Sequence, residues 1–349
     1  MDPLALHHDA VVVDTHDDLL MLTSRRPVAQ QAAYFRESWL PQLRDGGVDV
    51  QVLPVYIDDD FRPEGALRKT LQMVESGWTI AAGNAGDVQV CLDGDDVDEA
   101  VTAGRIALIL ALEGCEAIGT DVELLSTLHR VGVRIASLTH FGRTLLADGS
   151  GEDAAGSRLT RAGVEAVVVM EEVGMMVDVS HLGATGVDHV LEIARRPVIA
   201  THSSAYELRG HHRNLTDERL KGIASGLGVV NVNFFAGFLS DREEEFTVQR
   251  LVDHLEHVTA ICGVGAVGLG PDFIEQVFTE LYPLATELLV EGVDGKKLVP
   301  GLEGPAGLPL VTAELVRRGW PEADIRAVLG GNDLRLFRSE LGMPLAARG

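Results

Sequence analysis

The segment VVVDTHDDLL (11–20) places one histidine and three carboxylates directly after a run of valines. Valine runs are typical of β-strands, and residues two positions apart in an extended backbone point to the same side. His16 and Asp18 therefore present an imidazole nitrogen and a carboxylate oxygen side by side. Zinc and related cations take these ligand types, so the pair could form half of a metal site. Each Asp taken alone is better explained as an ordinary turn residue.

Polar residues of the same kinds end several other predicted strands. Short apolar or β-branched runs predict eight strands, at 11–14, 50–57, 106–113, 134–140, 175–181, 197–203, 228–234 and 266–272. Residues that can bind metal or transfer protons stand at the ends of most of them: His16, Asp18, Glu113, His140, His181, His202 and Asp272. An unpaired carboxylate such as Glu113 at the mouth of an apolar strand would be costly, so we expect a metal or an arginine beside it.

Helical patterns at 160–172, 186–195 and 246–261 alternate with these strands. Alternation repeated eight times predicts a (β/α)8 TIM-type barrel, one α/β catalytic domain over residues 1–349 with loop insertions and C-terminal helices. In such a barrel all the strand ends named above meet at one face. A doubly wound open sheet is the structural alternative, but its GxGxxG loop after the first strand is absent. Near the C-terminus we expect a helix over 321–329 that ends at Gly330–Gly331, followed by a last helix.

Composition excludes some classes of partner. The 349 residues are 46% hydrophobic and carry a net charge of −24, which suits a globular protein and argues against nucleic acid. Three cysteines without CxxC spacing are typical of reduced thiols. No signal peptide and no apolar run of about 20 residues is recognisable, so we expect a cytoplasmic protein that does not insert in a membrane.

The converging residues suffice for two divalent cations. Imidazoles and carboxylates suit zinc best, with manganese or cobalt as alternatives. Binuclear hydrolytic sites need a bridging ligand, which in a well-known solution is a carboxylated lysine at the end of the fourth strand. This chain has no lysine between Lys69 and Lys221. Glu113 is therefore the expected bridge.

Motifs over most of the chain resemble a known family. They are DTHDDL, LRDGGVDVQVLPVYI, ALEGCEAIG, LTHFGRT, DVSHLG, ATHSSA, HHRNLTDE and GGNDLRLF, in this order. The chain resembles the renal-type or membrane dipeptidases (peptidase family M19), a branch of the amidohydrolase superfamily. The resemblance implies a binuclear zinc-dependent dipeptidase, often with a D-residue accepted at the C-terminal position of the substrate, and a homodimer as its assembly.

The resemblance also implies roles for the metal ligands. His16 and Asp18 match the ligands of one metal, and His181 and His202 match those of the other. Glu113 matches the carboxylate that bridges both.

Three further positions match residues that act on the substrate. His140 matches a histidine that polarises the scissile carbonyl. Arg213 matches an arginine that binds the free carboxylate of the substrate, and Asp272 matches the acid/base after the eighth strand.

Two motifs depart from the family pattern. Asp17 stands where the usual DGHND has asparagine, and the last strand continues as GPDFIE (270–275) instead of SDF followed by a small turn. Both changes lie beside expected site residues and bear on substrate specificity. Hydrolysis of N-acyl amino acids or of another carboxylate-bearing amide is the alternative reaction, with lactone hydrolysis and deamination behind it. An inactive metal-binding protein is the alternative from another class.

Overall fold

The computed structural model describes residues 2–283, 289–290 and 293–345. Within these residues, one sheet contains nine strands. They are β1 (Val12–Asp14), β2 (Val48–Tyr56), β3 (Val88–Val90), β4 (Ile106–Glu113), β5 (Val133–Ser137), β6 (Met176–Asp178), β7 (Ile199–Ala200), β8 (Val229–Asn233) and β9 (Val267–Gly270). A separate antiparallel pair consists of β10 (Leu289–Val290) and β11 (Val293–Asp294).

Eight strands pair in parallel in the order β1-β2-β4-β5-β6-β7-β8-β9, and β3 pairs with β4 beside this path. Hydrogen bonds between the two ends of the path close the ring. The Thr15 amide donates to the Leu269 carbonyl at 3.2 Å, and the Asp272 amide donates to the His16 carbonyl at 3.0 Å. The predicted TIM-type barrel is therefore confirmed, and the open doubly wound sheet is wrong.

Helices follow the strands and cover the barrel. They are α1 (Pro3–Asp9), α2 (Leu19–Thr23), α3 (Val28–Tyr34), α4 (Leu40–Asp45), α5 (Ala66–Gly83), α6 (Gly94–Thr102), α7 (Leu124–Arg130), α8 (Arg161–Val173), α9 (Ala184–Ile193), α10 (Asp217–Ser225), α11 (Ala236–Leu239), α12 (Val248–Cys262), α13 (Glu275–Leu281), α14 (Pro309–Arg317), α15 (Glu322–Arg326) and α16 (Asn332–Glu340). Short 3-10 turns lie at Asp59–Phe61, Glu116–Ile118, Ser150–Ala155, Glu243–Glu245, Val264–Ala266 and Pro305–Gly307. Two π-helical turns lie at Phe35–Trp39 and Ala327–Gly331.

Two of the longer helices begin at a capping threonine. Thr160 accepts a hydrogen bond from the Gly163 amide at the start of α8, and Gly174 ends that helix in a left-handed conformation with φ of 86°. Thr247 caps α12 in the same way through the Arg250 amide. The predicted helical segments at 160–172, 186–195 and 246–261 are confirmed as α8, α9 and α12.

Two apolar clusters hold the barrel together. One lies between the strands and the surrounding helices, and the other combines inward-facing strand residues such as Ile109 and Ile135 with Leu334 and Phe337 of α16. All eight residues of β4 are buried, which explains its unbroken apolar run. The last helices lie at the amino end of the barrel, since Gly330 contacts the backbone at the start of β1. That leaves the carboxyl ends of the strands for the site.

One strand is missing from the sequence prediction, and the C-terminal helices follow that prediction. Strand β3 was not predicted, because its three residues pair only along the outer edge of β4 and carry no long apolar run. The helix expected over 321–329 is confirmed. Non-helical torsion angles at Gly330 (φ 176°, ψ −13°) break the helical path there, and α16 follows from Asn332 as the expected last helix. Among the described residues, no helix combines the length and the hydropathy needed to span a bilayer.

Candidate active site

The turn after β1 brings the first two predicted ligands to the barrel mouth. The Asp14 carboxylate accepts a hydrogen bond from the His16 amide at 2.9 Å. Thr15 donates its hydroxyl to the carbonyls of Thr201 and Leu269. These bonds tie the turn to the neighbouring strand β9 and to the end of β7, and Asp18 directly precedes α2. Asp14 therefore orients the turn that carries His16.

Glu113, at the end of β4, lies at the centre of the cluster. Its Oε1 atom is 2.9 Å from Nε2 of His181, 3.4 Å from Nε2 of His16 and 3.6 Å from Nε2 of His202. The two nitrogens of His181 and His202 are 2.8 Å apart. One carboxylate oxygen thus faces three imidazoles that come from three different strand ends.

A relay of hydrogen bonds determines which nitrogen His202 presents. The Thr201 hydroxyl lies 2.6 Å from Asp178 Oδ2 and 2.8 Å from His202 Nδ1. The hydroxyl has one proton, which it donates to the carboxylate, so it accepts from Nδ1–H of His202. The Nε2 lone pair of His202 therefore points at Glu113, the arrangement that a metal-binding histidine requires.

Two of the predicted site residues have left-handed backbone conformations. His181 has φ of 65° and Asp272 has φ of 59°. Such values are uncommon outside glycine and store strain, which the surrounding hydrogen bonds must offset. The Asn233 amide donates to Asp272 Oδ2 at 2.8 Å and holds that carboxylate over the cluster.

His140 stands at the edge of the cluster. Its Nε2 atom is 3.9 Å from Glu113 Oε1, and its ring lies 4.2 Å from that of His181 and 4.6 Å from that of Tyr56. Burial lowers the pKa of His140 to about 4. The imidazole is therefore neutral near pH 7 and keeps one N–H group for donation.

The cluster holds more buried carboxylates than the imidazoles beside them can neutralise. Burial raises the pKa of Asp18 well above its usual range, and the neighbouring Glu113 adds to that rise. Burial by itself would lower the pKa of His16, but Glu113 outweighs burial and raises it to about 10. Burial would likewise raise the pKa of Glu113, yet His16 brings it well below the usual value. Crowding of carboxylates away from water is costly unless cations compensate it.

The donor set fits divalent cations. Ligand atoms of His16, Glu113 and His202 lie within 4.8 Å of one another, and so do those of Glu113, His140 and His181. A third such group combines His16 and Asp18 with Asp272. His16 Nε2 and Asp18 Oδ1 are buried, and within the described residues neither has a hydrogen-bond partner. Buried lone pairs of this kind require a partner, and these atoms are zinc-type ligands.

A cavity of about 530 Å³ opens above the cluster. Its polar floor contains Asp18, Glu113, His140, His181 and Asp272. The cluster residues His16 and His202 lie outside this lining and form the layer beneath it.

Arg213 also lies outside the lining of this cavity. It is buried and donates to the His202 carbonyl at 2.9 Å, with its guanidinium 5.9 Å from the Phe141 ring and 5.6 Å from the Phe238 ring. Both rings line the cavity, so Arg213 stands directly behind one of its walls. The structure thus brings seven of the eight predicted site residues into one cluster and places the eighth beside it.

Some residues of the site were not predicted. Asp178 and Asn233 orient His202 and Asp272, and Arg62 lines the cavity and forms an ion pair with Glu116 at 3.3 Å. Asp178 could have been found, because it begins the DVSH motif directly after the apolar run. Asn233 and Arg62 carry no comparable local signal.

The family model for membrane dipeptidases, peptidase family M19, matches residues 3–343. This chain belongs to the membrane dipeptidase family. An uncharacterized dipeptidase of Schizosaccharomyces pombe is 32% identical over 292 residues, which cover 76% of this chain and 69% of that protein. Dipeptidase verJ of Clonostachys rogersoniana is 31% identical over 288 residues, which cover 81% of this chain and 69% of that relative.

A solved structure extends the comparison to three dimensions. The crystal structure of a metallopeptidase from Rhodobacter sphaeroides, bound to a phosphinate mimic of the dipeptide L-Ala-D-Ala, is 25% identical and has a TM-score of 0.84. The match covers 95% of this chain and 99% of that one. The family and the barrel predicted from the motifs are confirmed, and so is the enzyme class, a metallo-dipeptidase.

Proposed function

We propose that this member of the membrane dipeptidase family is a binuclear zinc-dependent dipeptidase, with residues 1–349 as one catalytic domain. The observation that carries the proposal is the position of Glu113 Oε1, within 3.6 Å of the imidazole nitrogens of His16, His181 and His202. This group lies at the floor of a cavity of about 530 Å³, a volume suited to a small substrate.

Each metal would be held by residues from different strands. We assign His16 and Asp18 to one cation and His181 and His202 to the other, with Glu113 shared between them. The imidazole and carboxylate donors favour zinc, and Thr201 and Asp178 support this by orienting His202. Divalent cations supply Lewis acidity, which makes a water molecule nucleophilic near neutral pH and favours negative charge on the carbonyl oxygen.

Two residues would handle protons and charge around the reacting carbonyl. Asp272 takes the proton of the attacking water and passes it to the leaving amine, and the Asn233 amide keeps its carboxylate in position. His140 donates its remaining N–H to the carbonyl oxygen as negative charge develops there. The neutral state of His140 supports this role, since it acts as a donor without being a cation.

Arg213 would bind the C-terminal carboxylate of the substrate. Its guanidinium has N–H groups in a planar fork that matches a carboxylate, and its burial behind Phe141 and Phe238 strengthens such an interaction. One carboxylate-binding group close to the reacting centre explains why a dipeptide fits and a long peptide does not. A D-residue at the C-terminal position is part of this proposal, whereas the cytoplasmic location and the homodimer stay predictions from the sequence.

The test is the metal content of the purified protein, with hydrolysis measured on the same sample before and after chelation. We expect about two zinc ions per chain and cleavage of dipeptides that chelation abolishes. N-acyl amino acids and amidated dipeptides serve as comparison substrates, because only the proposed function requires both a peptide bond and a free C-terminus. A protein without bound metal that stays inactive after zinc is added would rule the proposal out.

A further inference from the structure

The cavity above the cluster around Glu113 has one wall that differs from its floor. The wall consists of Met21 from α2, Ile274 from the turn after β9, and Val277 and Phe278 from α13. We call these four residues the α13 wall. Every side chain in it is apolar, whereas the floor is made of carboxylates and imidazoles.

The spacing on α13 explains how the wall forms. Residues 274, 277 and 278 lie three and four positions apart, so their side chains share one face of the helical segment. The helix α13 packs against α2, which brings Met21 to the same side of the cavity. Val277 is buried, and Ile274 and Phe278 are partly exposed toward the cavity.

The outer side of α13 is anchored. Glu280 forms an ion pair with Arg26 and accepts a hydrogen bond from the Tyr34 hydroxyl at 2.8 Å. Gln276 accepts a hydrogen bond from the Gln42 amide at 2.9 Å. These contacts connect α13 to α3, to α4 and to the residues just before α3.

The position of the wall identifies the part of the substrate that meets it. Asp18 directly precedes α2 and Asp272 stands two residues before Ile274, so the wall adjoins the Asp18 and Asp272 side of the Glu113 cluster. Arg213 lies on the other side, beside the His202 carbonyl and the ring of Phe141. A dipeptide whose carboxylate is held by Arg213 therefore points the side chain of its N-terminal residue toward the α13 wall.

We propose that the α13 wall selects dipeptides with a large apolar side chain on the N-terminal residue. This inference rests on the proposed dipeptidase function and on Arg213 as the carboxylate site. The physical reason is burial, since each methylene group removed from water stabilises the complex, whereas the apolar side chains of the wall offer no polar partner to a charged side chain.

The test is a panel of dipeptides with glycine at the C-terminal position, which removes stereochemistry from that residue. With the zinc-loaded protein we expect kcat/KM for Phe-Gly and Leu-Gly to exceed that for Asp-Gly and Lys-Gly by about tenfold or more. Phe278→Ala should reduce the ratio of Phe-Gly to Ala-Gly, and Phe278→Asp should raise Lys-Gly relative to Phe-Gly. Thr279→Ala is the matched control, because Thr279 lies on the exposed side of the same helix, and it should leave these ratios unchanged.

A second readout does not depend on turnover. Calorimetric titration of the protein from which a chelator has removed the metal should show tighter binding of Phe-Gly than of Asp-Gly. Phe278→Ala should remove this difference in affinity. Equal rates for all N-terminal side chains would overturn the assignment of the wall while leaving the dipeptidase function intact. The same holds if only the C-terminal side chain, varied in a series of Gly-Xaa dipeptides, changes the rate. Failure of the zinc-loaded protein to cleave any of these dipeptides would overturn the function and the wall assignment together.

Discussion

At the carboxyl end of the barrel, Glu113 lies among three imidazoles, whereas at the amino end Asp333 lies against Asn231 and Gly268. A side chain at Gly268 would meet Asn231 Oδ1 at 2.0 Å and Asp333 Oδ2 at 2.4 Å, so the two oxygens share the space above that glycine. Both carboxylates are buried. Burial raises the pKa of Asp333 to about 7, but that of Glu113 stays well below its usual value because His16 outweighs burial.

The different surroundings of Glu113 and Asp333 show which features distinguish a functional site from a buried structural carboxylate. A neutral Asp333 can donate its proton to Asn231 Oδ1, an arrangement that uses only protein atoms. The neighbours of Asp333 in the sequence, Leu334 and Phe337, belong to the apolar interior cluster. Around Glu113, by contrast, several lone pairs converge below an open cavity. A buried carboxylate is therefore not by itself a functional signal; converging ligand atoms next to a cavity are.

The largest effect that would test this contrast is expected from Glu113→Gln. The amide cannot carry the negative charge that two cations would share, so we expect loss of bound metal and a fall in kcat/KM of about 10³-fold or more. Metal analysis and dipeptide hydrolysis on the same sample measure both. Glu123→Gln, at an exposed position beyond the same strand, is the control. Full metal content with normal turnover would remove Glu113 from the site.

Asp272→Asn should separate proton transfer from metal binding. We expect the metal content to be kept and kcat to fall by about 10²- to 10⁴-fold, since a general acid–base residue contributes a factor of this size. Steady-state kinetics and metal analysis measure the two quantities. Turnover close to that of the parent protein contradicts the assignment, and loss of one metal would make Asp272 a ligand.

Asp178→Asn tests the relay that orients His202. The asparagine amide would donate to the Thr201 hydroxyl and turn its proton toward Nδ1 of His202, which disfavours the tautomer with a free Nε2 lone pair. We expect metal affinity to fall by about 10- to 100-fold, measured by competition with a chelator. Thr201→Ser keeps the hydroxyl and should retain most of the affinity. Equal affinity in Asp178→Asn and the parent protein would show that the relay has no role in metal binding.

The smallest effect on activity is expected at the amino end of the barrel, from Asp333→Asn. Its effect is therefore measured on the free energy of unfolding. The pKa of Asp333 rises from 3.8 to about 7 on folding, so the folded chain holds this proton more tightly than the unfolded chain. The stability that the proton provides is complete below about pH 4 and is lost as the pH rises toward 7. Asp333→Asn should therefore change little near pH 4 and stabilise the fold at pH 8, by at most on the order of 4 kcal/mol.

Urea unfolding at pH 5 and pH 8 measures this difference. The exposed Asp241→Asn is the control and should show no gain that depends on pH. If Asp333→Asn is no more stabilising at pH 8 than at pH 5, then Asp333 is not held neutral by its surroundings.

Much of the site could be predicted because strand ends are local features. The apolar runs that end in Glu113, His181 and His202 mark strands, and the closed parallel barrel then brings those ends to one face. The roles of Asp178 and Asn233 could not be assigned in this way. Their partners, Thr201 and Asp272, are 23 and 39 residues away in the sequence, so only packing shows that they meet.

For Arg213, the motif predicts the residue but not its position relative to the cavity. The HHRNLTDE segment identifies this arginine, but its place behind the wall formed by Phe141 and Phe238 depends on how its loop packs against the loop of Phe141 and against α11. The α13 wall is a similar case. Ile274 and Phe278 read as ordinary apolar helix positions, and nothing near them in the sequence indicates that Met21 completes the same surface.

The sequence by itself determined the family, the barrel and the set of metal-type residues, because these depend on local patterns of apolar runs and on the residue types at their ends. The tertiary structure decided which carboxylates meet imidazoles and which are sealed in the core, and which apolar side chains face the cavity. The physical reason is that burial and electrostatic partners are set by segments far apart in the chain. Glu113 and Asp333 are both buried acids, and their neighbours in space give one a low pKa and the other a raised pKa.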